Sequence, residues 1–237
     1  MTLKQSSKEQ NGELWIVIPA YNAEDTLPSV IQGLNNQGFH NIIVVDDGSK
    51  DSTFTVATTL PVHALKHFAN RGQGAALQTG ITYALTQHPQ PTAIITFDAD
   101  GQHRPEDITA LATPVLEGKA DIALGSRFLS HSNVPLIRRI TLKTGAFLIY
   151  LFHGLWLTDS HNGLRCLSLH ASRELDITSD RMEHASEIIE IMKTKKWTYT
   201  EIPIIVHYST NTLQRGHGGL REAFRVLARM IWRKFIK

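Results

Sequence analysis

The chain has 237 residues, of which 42% are hydrophobic and 19% are charged, and its 24 Lys and Arg against 22 Asp and Glu give a formal net charge of +2. The apolar fraction is too high for a disordered chain and is enough for the core of one fairly large domain. A single cysteine, Cys166, excludes an internal disulfide framework and a zinc site made of several cysteines.

Short apolar runs alternate with amphipathic segments in the first half of the chain. We predict strands at 14–18, 41–45, 93–97 and 121–124, a short strand at 62–65, and helices at 25–34, 51–59, 74–85 and 105–116. This alternation indicates an α/β fold with a mainly parallel sheet flanked by helices. Ligands bind at the carboxyl ends of the strands in such sheets, so the polar residues that follow each strand should converge in one crevice.

The second half has a different pattern. We predict a helix or helix pair at 136–157, a helix at 182–192, a strand at 197–207 and an amphipathic helix from Leu220 to the end. Pro203 lies inside the last strand and places it at an edge of the sheet. The longest apolar stretch without charge, 144–158, falls short of the roughly 18–20 residues that cross a bilayer. We therefore predict a polar extension at 1–13, one main domain at 14–214 and a basic helix at 215–237.

The strongest chemical signal is the pair Asp98 and Asp100, which comes just after a predicted strand. Two carboxylates one residue apart can both bind a hard cation such as Mg²⁺ or Mn²⁺, and such a cation can hold a diphosphate. The alternative is that both aspartates only form a turn and cap a helix.

Two further segments have polar residues at strand ends. Asp46 and Asp47 follow the second strand, where a carboxylate can accept hydrogen bonds from a ribose or a base, or can simply form a turn. The segment Asn-Arg-Gly-Gln-Gly at 70–74 resembles a loop that holds phosphate before a helix, although a plain helix entry explains it equally well.

Five segments, in their order and spacing, resemble the motifs of family 2 glycosyltransferases of the GT-A fold. They are Ile-Pro-Ala-Tyr-Asn at 18–22, Val-Asp-Asp-Gly-Ser at 45–49, 70–74, Phe-Asp-Ala-Asp-Gly-Gln at 97–102 and Gly-Ser-Arg-Phe at 125–128. Within that family the chain looks closest to the dolichol-phosphate mannose synthase-like branch, which transfers a sugar from a nucleotide to a polyprenyl phosphate. The segments 159–165 and 187–189 resemble downstream elements of that branch.

The resemblance implies a donor site with three parts. The nucleoside would be held by Pro19, Tyr21 and Asp46 or Asp47, with Asp98 beside them. The metal and the diphosphate would be bound by Asp98 and Asp100, with Gln102 as a third ligand. The family often has Glu after Tyr-Asn, where this chain has Ala23 followed by Glu24.

The resemblance also implies groups for the sugar and the acceptor. Arg127 would contact a phosphate of the donor or the acceptor, and Asp159 and Glu187 would lie near the transferred sugar or the acceptor. Apart from the resemblance, Arg138 and Arg139 precede the apolar stretch at 146–152, and with a lipid-linked acceptor at a membrane they would lie near the acceptor phosphate. As the alternative, they are surface residues. The branch carries an Arg…Gly-x-Ser-Lys segment after its last strand, and here 208–215 stands in its place, with Arg215 as the basic group.

The acceptor decides what chemistry is needed. The resemblance implies direct displacement with inversion at the anomeric carbon. A phosphate monoester is already a nucleophile near neutral pH, because its second pKa is about 6. A hydroxyl of a glycan needs a general base, for which Asp159 and Glu187 are the candidates. The alternative functions are therefore transfer to a glycan hydroxyl in polysaccharide or lipopolysaccharide assembly and, from another class, nucleotide binding without transfer.

The C-terminal segment carries a ridge of arginines at every fourth position, opposite an apolar stripe; they are Arg221, Arg225, Arg229 and Arg233. Residues 215–237 hold seven Lys or Arg and one Glu, so the near-neutral total hides a basic tail. This pattern predicts a helix that lies on an anionic membrane, with a core-packed helix as the alternative. We expect a cytoplasmic enzyme at the inner face of the membrane, with no nucleic acid partner.

Overall fold

A computed structural model of the chain describes residues 14–87, 90–130, 154–159, 162–181 and 183–207, together with Thr144, Ala146, Tyr150 and Leu151. The predicted extension at 1–13 and the predicted helix at 215–237 lie outside these residues. The same holds for Arg138, Arg139 and Arg215.

Seven strands of the described residues form one sheet, in the order β3-β2-β1-β4-β6-β5-β7. The strands are β1 (Leu14–Ala20), β2 (Ile42–Asp46), β3 (His63–Lys66), β4 (Ala93–Thr96), β5 (Ile122–Ser126), β6 (Arg165–Ser168) and β7 (Tyr199–Pro203). β6 runs antiparallel to its neighbours β4 and β5, and the other neighbouring pairs are parallel. The prediction of a mainly parallel α/β sheet is confirmed, and β7 lies at the predicted edge.

The helices with bounds inside the described residues are α1 (Leu27–Asn36), α2 (Thr53–Thr59), α3 (Gln73–Leu85), α4 (Asp107–Leu116), α5 (Leu169–Glu174) and α6 (His184–Lys195). Neither β6 nor α5 was predicted. The predicted helix at 136–157 is too long at its end, since 154–157 is not helical. Gly154 has a φ of 69° and donates its N–H to the Tyr150 carbonyl at 2.8 Å, which ends the helix there. Within the described residues, no helix combines the length and apolarity of a membrane span.

The sheet is covered on both faces, which explains the continuous apolar runs of its central strands. Along β1, Ile16 and Ile18 belong to one core cluster, with α1, α2 and α4. Trp15 and Val17 point to the opposite cluster, with α3, α5 and α6. Cys166 is fully buried, and burial raises the pKa of its thiol, so it serves as a small core residue.

The direction of β6 matters for the site. β1, β2, β4 and β5 all end at one edge of the sheet, and the loops after them leave from there. Because β6 is antiparallel, it begins at that edge, and Arg165, its first residue, pairs with Thr96 on β4 and Leu124 on β5. One buried arginine is thus added to a set of residues that otherwise follow strand ends.

Helix α3 packs closely on the sheet at Gly80. A Cβ atom there would lie 2.3 Å from Val17 Cγ1 and 3.2 Å from Val45 Cγ2. We expect Gly80→Ala to lower the free energy of unfolding by about 1 kcal/mol or more, because overpacking typically costs more than the helix propensity gained. Urea unfolding measures the change, with Thr82→Ala on the exposed face of α3 as the control. An increase in stability would contradict the close packing.

Candidate active site

A cavity of about 330 Å³ lies at the edge where the parallel strands end. Six of the predicted site residues line it: Pro19, Tyr21, Asp98, Asp100, Gln102 and Arg127. Four others, Asp46, Asp47, Asp159 and Glu187, lie outside the lining, in the structure around it. The predicted crevice therefore exists, and four of the predicted site residues lie in the structure that supports it and not in its lining.

Asp98 is held firmly at the end of β4. Its Oδ1 accepts a hydrogen bond from Gln73 Nε2 at 2.9 Å, and its Oδ2 lies 3.0 Å from His103 Nε2. Gly163 packs directly against the carboxylate, since a Cβ atom there would lie 2.2 Å from Asp98 Oδ2. The absence of a side chain at Gly163 therefore makes room for Asp98.

The pKa values of Asp98 and Asp100 are shifted in opposite directions. Burial alone would raise the pKa of Asp98, but the hydrogen bond and charge of His103 and the charge of Arg165 bring it below its ordinary value. Burial and the charge of Asp98 raise the pKa of Asp100, against hydrogen bonds from Gln102. The two carboxylates thus repel each other, as expected of a pair placed to share a cation.

This pair of carboxylates fits a divalent cation whose remaining ligands come from the substrate. Gln102 donates to Asp100 from its backbone N at 3.0 Å and from its side chain at 2.5 Å, so the predicted third ligand lies beside the pair. The described residues contain no group of three or more His, Cys, Asp or Glu side chains placed to hold a metal. Mg²⁺ is commonly bound by one or two carboxylates together with substrate phosphates, which matches this donor set.

Asp47 holds the loop at 70–74 in place. Its carboxylate accepts from the backbone N–H of Arg71 at 3.0 Å and of Gly72 at 2.6 Å, and it lies 2.8 Å from His67 Nδ1. Asp46 is fully buried and accepts from the backbone of Ser49 at 3.0 Å. In this structure both aspartates shape the loops beside the pocket, and their predicted contact with a nucleoside stays a prediction.

Glu187 holds a second loop. Its carboxylate accepts from the backbone and the hydroxyl of Thr178 and from the backbone N–H of Ser179 at 2.8 Å. Burial alone would raise the pKa of Glu187, but these hydrogen bonds lower it. The loop packs on 70–74, because a Cβ atom at Gly74 would lie 2.0 Å from the Ser179 carbonyl oxygen. Glu187 therefore positions one pocket loop against another.

Arg127 and Asp159 form a buried ion pair. Arg127 donates from Nε at 2.6 Å and from Nη2 at 2.7 Å to the two oxygens of Asp159, and from its backbone N at 3.1 Å. Their side chains are 6% and 0% exposed. Glu201 on β7 fixes the Asp159 segment by accepting from the backbone N–H of Thr158 and Asp159. Asp159 thus orients Arg127, which lines the pocket.

Five residues that were not predicted as site residues line or support the pocket: Gln73, His103, Asn162, Arg165 and His184. Asn162 and Arg165 lie in the segment 159–165 that carries the family resemblance, and this motif is the signal that could have found them. His184 and His103 have no such signal, because an isolated histidine is common on any surface. Only the packing of α6 and of the loop after β4 brings them to the cavity.

The fold and this site agree with the comparisons to known proteins. The family model described as "Glycosyl transferase family 2" matches residues 15–172. The chain therefore belongs to glycosyl transferase family 2, and the prediction of a nucleotide-sugar-dependent glycosyltransferase is confirmed.

Individual relatives refine this picture. An uncharacterized protein of Methanocaldococcus jannaschii is 38% identical over 97% of this chain and 96% of its own. The UDP-N-acetylglucosamine--dolichyl-phosphate N-acetylglucosaminyltransferase of Methanococcus voltae is 32% identical over 94% and 97%. The crystal structure of glucosyl-3-phosphoglycerate synthase from Mycobacterium tuberculosis, with Mn²⁺ and UDP, superimposes with a TM-score of 0.72 at 14% identity, over 94% of this chain and 82% of that one. This last likeness confirms the fold.

The buried ion pair predicts a large effect on stability. We expect Asp159→Asn to lower the free energy of unfolding by about 3–5 kcal/mol, because the buried Arg127 charge loses its anion. The control is Asp180→Asn, which breaks the exposed pair with Arg71 at 3.5 Å and should change stability little. Chemical denaturation compares the two variants. Equal, small effects would show that the pair does not hold Arg127 in place.

Proposed function

We propose that the protein transfers a sugar from a nucleotide-sugar donor to a polyprenyl phosphate, with Mg²⁺ or Mn²⁺ bound by Asp98 and Asp100. The observation that carries the choice of acceptor is that both candidate general bases are already occupied. Asp159 is paired with Arg127, and Glu187 holds the loop at 178–179. Neither lines the cavity.

A phosphate acceptor fits a pocket without a spare base. Among the described residues, the carboxylates that line the cavity are Asp98 and Asp100, and both are assigned to the cation. A phosphate monoester is ionised near neutral pH and needs no proton removed, whereas a sugar hydroxyl does. The relative from Methanococcus voltae, which is named for transfer to dolichyl phosphate, supports the same choice.

The proposed reaction is a single displacement. A phosphate oxygen of the acceptor attacks the anomeric carbon, the bond from that carbon to the nucleoside diphosphate breaks, and the configuration inverts. Asp98 and Asp100 would hold a divalent cation, which would neutralise the negative charge that develops on the departing diphosphate. Arg127, oriented by Asp159, contacts a phosphate of the donor or of the acceptor, and on the donor it stabilises the same charge.

The nucleoside is proposed to bind on the β1 side of the cavity. Pro19 and Tyr21 line this side, and Tyr21 is 44% exposed, so its ring is open to a base. Asp46 and Asp47 lie at the end of the neighbouring strand β2, and a hydrogen bond from the nucleoside to either of them stays part of the proposal.

The proposal places the enzyme at an anionic membrane surface on the cytoplasmic side. Exposed apolar side chains support this placement: Leu151 is 62% and Trp156 66% exposed, and the Trp156 ring lies 5.0 Å from that of Tyr150. Aromatic rings of this kind favour the membrane–water interface. The segment 215–237, predicted to be a basic helix, and the arginines at 138, 139 and 215 would contact lipid head groups and the acceptor phosphate.

An acceptor screen tests the function. Purified protein is incubated with UDP-N-acetylglucosamine and other nucleotide sugars, with Mg²⁺ or Mn²⁺, and with either a short polyprenyl phosphate or a panel of glycans. We expect a glycosylated polyprenyl phosphate and no product on the glycans. Turnover on glycans alone would establish the hydroxyl alternative. No turnover and no nucleotide binding under any condition would overturn the enzyme assignment for this chain.

The metal site has its own test. We expect Mn²⁺ to strengthen the binding of UDP to the wild-type protein and to have no effect on the Asp100→Ala variant, because one of the two carboxylate ligands is lost. Asp25→Ala removes an exposed carboxylate outside the cavity and is the control. Isothermal titration calorimetry with and without Mn²⁺ gives both affinities. Metal-dependent binding that survives in Asp100→Ala would place the cation elsewhere.

The raised pKa of Asp100 adds a pH dependence with a defined sign. As the pH falls through that pKa, the carboxyl takes up a proton and loses its ability to bind the cation. Metal-dependent affinity should therefore be complete at neutral pH and decline on the acid side, at a higher pH than an isolated Asp would give.

A further inference from the structure

The wall of the cavity beyond Asp98 is polar and has no part in the reaction proposed above. It consists of Asn162, Arg165 and His184, whose exposed fractions are 4%, 3% and 3%. Burying three polar side chains at one place costs free energy unless each finds a hydrogen-bond partner. The atoms of these side chains that lack a partner therefore indicate which hydrogen bonds a ligand could make here.

His184 presents an acceptor. Its Nδ1 lies 2.7 Å from the Arg181 carbonyl oxygen, and a carbonyl only accepts, so Nδ1 carries the proton. Burial, and then the charge of Arg165, lowers the pKa of His184 to about 4, so the ring is neutral at physiological pH. In this tautomer Nε2 has a lone pair and no proton, and it can only accept a hydrogen bond.

Asn162 and Arg165 present donors. Asn162 Oδ1 accepts from the backbone N–H of Leu164 at 2.9 Å, which fixes the amide and leaves Nδ2 without a partner among the described residues. Arg165 Nη1 is likewise buried and unpartnered within the described part of the chain. An unmade hydrogen bond of a buried donor costs about 1–3 kcal/mol, and both atoms are almost completely covered, so both groups favour a small local shift that exposes them to a ligand in the cavity.

The neutral acceptor of His184 and the two donors of Asn162 and Arg165 line the same cavity, and together they determine which chemical groups of a ligand can bind there. Phosphate oxygens only accept hydrogen bonds at neutral pH, apart from a monoester proton, and cannot satisfy His184 Nε2. A hydroxyl both donates and accepts, so it can donate to the imidazole and accept from an amide or a guanidinium. Neighbouring hydroxyls of a sugar match the whole set.

The strand order indicates whether these residues face the ribose or the transferred sugar of the donor. β4, with Asp98 after it, lies between β1 and β6. The nucleoside side of the proposed donor site is at β1, and Asn162 and Arg165 lie at the start of β6 on the other side. A nucleotide sugar laid along this edge, with its diphosphate at Asp98 and Asp100, has its ribose towards β1 and its transferred sugar towards β6.

We propose that His184, Asn162 and Arg165 form the hydroxyl-binding subsite for the transferred sugar, with His184 Nε2 accepting a hydrogen bond from a sugar hydroxyl. The subsite rests on the proposed function, because it requires a nucleotide-sugar donor in the cavity. It makes His184 a residue that selects the sugar, and it assigns no proton transfer to the imidazole.

Two substitutions at His184 separate this role from a structural one. In His184→Gln the side-chain oxygen can take the place of Nε2, whereas in His184→Asn the amide nitrogen can take the place of Nδ1 and keep the bond to the Arg181 carbonyl. Calorimetry with Mg²⁺ compares UDP-N-acetylglucosamine with UDP, which lacks the sugar. If the acceptor screen identifies another donor, that donor and its nucleoside diphosphate replace this pair.

We expect His184→Asn to bind the nucleotide sugar about tenfold more weakly, as for the loss of one hydrogen bond, and to bind the nucleoside diphosphate as the wild type does. His184→Gln should keep most of the affinity for the nucleotide sugar. Unchanged nucleoside diphosphate binding also shows that each variant is folded. If His184→Gln does not fold, the selective loss in His184→Asn still decides the question.

The reverse order of the two variants would overturn the subsite. Retained sugar affinity in His184→Asn with loss in His184→Gln would show that only the bond to the Arg181 carbonyl matters. Equal weakening of both ligands would show that His184 acts on the nucleotide. Failure of the proposed function has a different signature, since the wild-type protein would then bind neither ligand and no subsite for a donor sugar would exist.

Discussion

The negative charge of Asp98, held at the end of β4 against Gly163, is the constraint around which the pocket is arranged. A buried carboxylate is stable only with hydrogen bonds and opposite charge close by. His103 supplies the first contact and Arg165 a nearby positive charge. Burial and the same charge raise the pKa of Asp100, as in a pair of carboxylates that shares a cation. Gly163 leaves room for the carboxylate, and the antiparallel strand β6 brings Arg165 close enough to help keep it ionised.

Most of the other carboxylates near the pocket are used to hold the chain in shape. Asp47 fixes the loop at 70–74, Glu187 fixes the loop at 178–179, and Asp159 fixes Arg127. Each accepts two or more hydrogen bonds, several of them from backbone N–H groups that would otherwise be unpaired. An acidic residue in a catalytic motif can therefore serve the reaction by positioning a loop or an arginine. A phosphate nucleophile is compatible with this arrangement because it requires no base.

Much of the fold was predictable from local pattern, and the exceptions have physical reasons. The strands at β1, β2 and β4 are buried on both faces, so their apolar runs were unmistakable. β6 was not predicted because its four residues, Arg-Cys-Leu-Ser, begin with a charged residue and show no clear alternation of apolar and polar side chains. Helix α5 has only six residues, too few to show a helical period. The end of the helix before Gly154 depends on a positive φ and was placed too late.

By itself, the sequence determined the family, the alternating fold and the pair Asp98 and Asp100, because short motifs at strand ends carry their chemistry in consecutive residues. The tertiary structure decided which of the motif residues face the cavity. Asp159 and Glu187 were equal candidates for a base until their hydrogen bonds showed them occupied, and His103 and His184 became site residues only through packing. Such assignments depend on contacts between residues far apart in the chain, and no local pattern in the sequence specifies them.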